Sequence, residues 1–109
     1  MKKKYKLTHR TKEVDGHVLH RIKALKSFDD ARKGDLGGWV ESYRNLSQVD
    51  NAWVYDKAKV FDNATVFGNA QVYSKVKVFD NAKVLDKAWV TGKAKVFGNV
   101  RLYGDVKVF

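Results

Sequence analysis

From Asn51 to Phe109 apolar side chains recur in a six-residue rhythm. Aliphatic residues fall at Val54, Val60, Val66, Val72, Val78, Val84, Val90, Val96, Leu102 and Val108. Two positions before each stands a residue that is usually smaller: Ala52, Ala58, Ala64, Ala70, Val76, Ala82, Ala88, Ala94, Val100 and Val106. Between these pairs lie Asp62-Asn63, Gly68-Asn69, Asp80-Asn81, Gly92-Lys93 and Gly98-Asn99. Such dipeptides suit tight turns, because Gly and Asn accept positive φ at little cost. Six residues are too many for one helical turn and too few for a helix-pair repeat. They fit a strand of about four residues with alternate side chains inward, followed by a two-residue corner.

A longer period shows how the corners close. The segment Lys57-Ala-Lys-Val-Phe-Asp-Asn-Ala returns as Lys75-Val-Lys-Val-Phe-Asp-Asn-Ala and again as Lys93-Ala-Lys-Val-Phe-Gly-Asn-Val, eighteen residues apart each time. Three strands and three corners make a triangular coil, and successive coils pair with backbones roughly 4.8 Å apart. The expectation is an all-β solenoid of about four coils over residues 39–109. These hexads resemble the hexapeptide-repeat superfamily, and the resemblance implies a single-stranded left-handed parallel β-helix. The front of the chain, with Gly34-Asp-Leu-Gly-Gly-Trp-Val40, resembles that of small bacterial and phage proteins in a non-catalytic subgroup.

Residues 1–38 follow a different pattern. Tyr5 and Leu7 alternate with Lys4 and Lys6, Asp15-Gly16 is a two-residue hairpin signal, and Val18, His20, Ile22 and Ala24 alternate along a second arm. A β-hairpin over about residues 4–26 is expected, then a helical turn over Ser27–Lys33 with Asp29 near its start, then a Gly-rich loop over Gly34–Gly38. In the first coil Ser42 and Gln48 stand where later coils carry Val, while Val40 and Leu46 keep the inward register. This marks an end layer beneath a hairpin cap, since a solenoid must cover its terminal strand edges. Arg101–Phe109 continues the repeat without a cap, so that coil is either tolerated or covered by another subunit.

Charge adds a functional dimension. The net charge is +10; residues 1–38 hold eleven Lys/Arg against five Asp/Glu, and residues 39–109 eleven against seven. Folding the eighteen-residue period onto a triangle puts Lys57, Lys75 and Lys93 at one corner, beside Lys59, Lys77 and Lys95 on a strand column and Phe61, Phe79 and Phe97 next to them. Lysines stacked at rung spacing repel by about 0.9 kcal/mol per pair in water. A basic, aromatic-lined face suits an acidic protein surface, phosphates or single-stranded bases. A second face carries Trp53, Tyr55, Tyr73, Trp89 and Phe109, an aromatic patch expected to form a homo-oligomer interface, a dimer being favoured. The third face (Thr65, Phe67, Lys83, Leu85, Arg101, Tyr103) is mixed, and Asn45, Asn63, Asn81 and Asn99 share a corner as an expected amide ladder.

Chemistry is sparse. There is no Cys, hence no disulfide framework or thiolate metal site. No apolar run suggests a signal peptide or a membrane span, and a cytoplasmic location is expected. His9, His17 and His20 all precede the solenoid, whereas acyltransferases of the resembling superfamily place a general-base His on a coil. No enzyme activity, cofactor or metal is expected. Resemblance and charge together imply a non-enzymatic binding or inhibitor protein of phage or mobile-element type. Its expected target is a host nucleic-acid-processing defence complex, such as a CRISPR effector. Direct nucleic-acid binding through the lysine columns and a self-assembling structural solenoid are the alternatives.

Overall fold

In the computed structural model, which describes residues 3–109, the hexads become short strands at regular intervals. Three longer strands come first: β1 (Tyr5–Val14), β2 (His17–Ala24) and β3 (Leu36–Val40), followed by a 3-10 turn at Tyr43–Asn45. Ten two-residue strands follow: β4 (Trp53–Val54), β5 (Lys59–Val60), β6 (Thr65–Val66), β7 (Gln71–Val72), β8 (Lys77–Val78), β9 (Lys83–Val84), β10 (Trp89–Val90), β11 (Lys95–Val96), β12 (Arg101–Leu102) and β13 (Lys107–Val108). They build three sheets. The first runs β1-β2-β3-β5-β8-β11, the second β4-β7-β10-β13 and the third β6-β9-β12.

The register is parallel and offset by eighteen: Val60 pairs with Val78 and Val78 with Val96, Val54 with Val72, and Val66 with Val84. The chain is therefore a β-solenoid of about four coils. Strands are shorter than expected, yet the coil-to-coil ladder continues past them. Lys59, Phe61 and Asn63 donate their N–H groups to the carbonyls of Val76, Val78 and Asp80 at 2.9–3.0 Å. The alternating Ala and Val residues of the first three coils are fully buried, which fills a core too narrow for larger pairs.

Corners turn at their first residue, which has positive φ whether it is Gly68, Gly92 and Gly98 or Asp56, Asp62, Asp80 and Asp86. Aspartate is useful there where the next coil has glycine. The carboxylates of Asp50, Asp80 and Asp86 accept the N–H of Gly68, Gly98 and Gly104 at 2.7–3.1 Å, which satisfies a donor at the bend. The expected Asn ladder is reduced to one rung, Asn63 to Asn81 at 3.3 Å. Asn45 is buried and turned to backbone instead, accepting from Glu41 and Ser42 N–H and donating to the Ala64 carbonyl at 2.7 Å.

The first coil is wider. Val40 pairs with Val60 and Leu46 with Val66, offsets of twenty, whereas Val54 to Val72 is eighteen. Two extra residues between Leu46 and Val54 supply the clamp for the cap. Gln48 accepts from Lys4 and Tyr5 N–H at 2.7 and 3.2 Å and donates to the Tyr5 carbonyl at 3.1 Å. Lys4 Nζ donates to the carbonyls of Asp50 and Ala52 at 2.8 and 2.6 Å, and Tyr5 Oη to Leu46 at 2.5 Å. No earlier coil exists to satisfy those carbonyls, so the cap brings the donors. Burial lowers the Lys4 pKa to about 8; Asp50 opposes the shift and Lys26 adds to it. Cap and coils share one buried cluster running from Tyr5, Ile22 and Ala24 to Val96.

Gly37 and Gly38 allow β3 to lie against the coils. A Cβ on Gly38 would meet the Ala58 carbonyl oxygen at 2.6 Å. The expected helical turn at Ser27–Lys33 is absent. Phe28 and Ala31 instead exchange backbone hydrogen bonds at 2.8 and 2.9 Å across a tight turn with Asp29 at φ 45°. Tertiary anchoring explains the difference: Phe28 packs edge-on against Trp53 at 5.1 Å, and the Asp29 carboxylate accepts from Gln71 at 2.6 Å.

Candidate docking face

The outer face of the first sheet begins with its register. Lys59, Lys77 and Lys95 pair in sequence across β5, β8 and β11, and Trp39 on β3 pairs with Lys59. The Lys59 pKa is lowered, first by burial and then by Lys12, Lys77, Lys57 and Lys75, so five ammonium groups share one locality. Among the described residues the only carboxylate within ion-pair distance of this column is Asp15, 3.5 Å from Lys77. Lys93 and Lys95 are exposed.

The phenylalanine column differs from expectation. Phe61 is only 2% exposed and cannot contact a partner. The β1–β2 pairing shifts register between Leu7 and Thr11, and the far half of the hairpin contributes to a second buried cluster. Leu19 and Trp39 then bury Phe61 with Val14 and Phe79 beside it, and the His17 ring lies 4.9 Å away. Phe61, Phe79 and Phe97 stack at 5.3 and 5.4 Å, within 11° of parallel, so their π-faces meet one another. Phe79 is partly buried, and Phe97, at 53% exposed, is the ring most open to a partner.

Hydrophobic periodicity alone missed Lys12 and Arg21. Arg21 pairs with Trp39, which extends the outward column onto the hairpin. Its Nε donates to the Gly37 carbonyl at 2.8 Å, and its guanidinium carbon lies 5.5 Å from the Trp39 ring centre. Lys12 Nζ lies 4.3 Å above the same ring. The opposite alternation of Leu19 and Arg21 against His20 and Ile22 is the one sequence signal that pointed outward here.

The second sheet's aromatic face is half covered. Trp53 is 2% exposed, buried by Phe28 and Tyr5, so it is a core residue beneath the cap and not an open interface residue. Tyr55 stacks on Tyr73 at 4.3 Å, with its hydroxyl buried. Burial raises the pKa of both tyrosines. Tyr73 donates to Gln71. What remains open is a groove of about 350 Å³ lined by Tyr73, Trp89, Thr91 and Phe109.

Two histidines are committed to the cap. His17 Nδ1 lies 2.8 Å from Glu41, whose other oxygen accepts the Asp62 N–H at 2.8 Å, and His20 Nδ1 lies 3.0 Å from the Thr8 carbonyl. The Glu41 hydrogen bond raises the His17 pKa. Burial opposes ionisation of Glu41, but the bonds from His17 and Asp62 outweigh it, and its pKa is lowered. Among the described residues no three His, Cys, Asp or Glu side chains are grouped to hold a metal ion, and no helix is long and apolar enough to cross a membrane.

Fold and surface define a capped β-solenoid with one strongly basic face. No protein-family model matches the chain, and no curated protein sequence matches it.

Proposed function

We propose that this chain acts by binding, as a docking or inhibitor protein whose basic face engages an acidic protein surface. The hexapeptide-repeat resemblance and the expectation of a defence complex as target belong to the same proposal. One observation carries it: Lys59, Lys77 and Lys95 stand in register beside Lys12, Lys57 and Lys75, and among the described residues a single carboxylate is in ion-pair reach of the column. Like charges held in register carry an electrostatic cost that an acidic partner removes on docking. An acidic protein is favoured over single-stranded nucleic acid because the Phe rings stack on one another. Sequence-tolerant strand binding needs aromatic faces free for bases.

The test compares the parent chain with Lys59→Glu/Lys77→Glu/Lys95→Glu in affinity capture from nuclease-treated lysate, alongside salt titration against a single-stranded oligonucleotide. Capture of one acidic protein by the parent and its loss in the triple variant are expected. Tight oligonucleotide binding with no nuclease-resistant protein capture would move the reading to nucleic acid. Self-association is a second reading, carried by the Tyr73, Trp89 and Phe109 groove, where Phe109 is 85% exposed. Solution mass of Trp89→Ala decides it: a dimer that becomes monomeric supports it, and an unchanged mass removes it.

A further inference from the structure

The corner between the second and first sheets holds a groove of about 410 Å³ lined by Arg21, Asp56, Lys57, Ser74 and Lys75. Its cations come from separate stretches of chain. Lys57 and Lys75 stack eighteen residues apart at equivalent corners, and Arg21 arrives from the hairpin through its pairing with Trp39. Arg21 is already oriented: Nε is bound to the Gly37 carbonyl, and the guanidinium plane is supported by Trp39. Its terminal nitrogens have no hydrogen-bond acceptor among the described residues. Among the same residues no carboxylate oxygen, that of Asp56 included, lies within 4.0 Å of the Arg21, Lys57 or Lys75 cations.

We propose that this corner groove is an oxyanion site that takes a phosphate group, as free phosphate or as a phosphate monoester. The donor set fits that chemistry. A guanidinium offers two parallel N–H groups to two oxygens of one anion, while ammonium groups are rotatable point donors. With the Ser74 hydroxyl they place four donor side chains from three stretches of chain on one groove, a donor number that suits the several oxygens of a tetrahedral anion. Charge agrees as well: three cations and one carboxylate leave +2 in the groove, against roughly −1.5 to −2 on a phosphate monoester at neutral pH. Asp56 at φ 50° fixes the corner and sets that balance. The site extends beyond the docking role, since it needs no macromolecular partner and is read by direct titration.

Inorganic phosphate is titrated into the ¹⁵N-labelled chain at low ionic strength, and amide shifts are followed. Saturable shifts centred on Arg21, Lys57, Ser74 and Lys75 are expected, with at least tenfold weaker binding in Lys75→Gln and unchanged binding in Lys87→Gln at another corner. Lys75 is exposed, so its variant keeps the fold. Arg21→Lys keeps the charge but loses the fork, and at least threefold weaker binding is expected. Asp56→Asn keeps a residue tolerant of positive φ and raises the groove charge, so tighter binding is expected. Shifts spread equally over all lysine corners, non-saturating shifts, or Lys75→Gln binding like the parent would overturn the site. Parallel titrations with a phosphoserine peptide and a 5′-mononucleotide assign the source: preference for the peptide points to a modified protein, preference for the nucleotide to a small ligand.

Discussion

Replacing Trp53 by Ala separates a core role from an interface role at one position. The ring is 2% exposed and lies 5.1 Å from Phe28 and 6.1 Å from Tyr5, both supplied by the amino-terminal segment. Truncating a buried Trp to Ala costs about 3–5 kcal/mol in transfer and cavity terms. The upper half of that range is expected here, because the same cap residues that would collapse into the void also hold the Lys4, Tyr5 and Gln48 hydrogen bonds. Against a total stability of about 5–15 kcal/mol, the loss is severe. With a urea dependence of about 2 kcal/mol per molar, the unfolding midpoint drops by about 2 M. Trp89, at 43% exposed with Tyr73 and Lys107 beside it, is the matched control, and its Ala variant should lose about 1 kcal/mol. Both are read by urea unfolding followed by circular dichroism, with solution mass measured in parallel. Equal midpoints for the two variants, or a Trp53→Ala protein of parent stability and altered mass, would refute the core assignment.

Three further outcomes rest on the cap. Lys4→Met leaves the Asp50 and Ala52 carbonyls without their donor and should cost about 3 kcal/mol by chemical denaturation. The parent should gain stability between about pH 8 and 10.5, because there the unfolded Lys4 still binds a proton that the folded one has released, and the variant should lack this slope. His17 titrates in the opposite sense. Its raised pKa means that the Glu41 pair contributes fully below about pH 6.5, while Glu41 stays ionised, and fades as pH rises through the folded value, so the protection factors of amides around Asp15–His17, corrected for the intrinsic pH dependence of exchange, should fall there, and His17→Gln should abolish the fall.

The coil architecture was legible because its determinants are local. Ala52-x-Val54 and its repeats state which side chains face inward, and Asp62-Asn63 and its relatives state where the chain bends. Once the eighteen-residue period was recognised, the alignment of Lys59, Lys77 and Lys95 followed. The path of the amino-terminal segment over the finished sheets was not legible. Nothing near Phe61 or Trp53 announces that Leu19, Trp39 or Phe28 will cover it, since those contacts join residues more than twenty positions apart and require the hairpin and the Phe28–Ala31 turn to be in place. Gln48 read as a polar fault in the core pattern, whereas it is the side chain that holds β1. Arg21 escaped for the same reason, because its place beside Lys57 and Lys75 exists only after β2 pairs with β3.

Every surface assignment depends on Lys59 standing directly over Lys77. The chain has no native cysteine, so Lys59→Cys with Lys77→Cys gives a clean probe of that neighbourhood. Paired strands place such residues about 4.8 Å apart, inside the Cα range of about 4.4–6.8 Å that a disulfide spans. Rapid, complete intramolecular oxidation is expected for this pair and none for Lys59→Cys with Lys83→Cys, whose strands lie in different sheets. Oxidation of the 59/83 pair in preference to 59/77 would contradict the eighteen-residue coil and the basic face built on it.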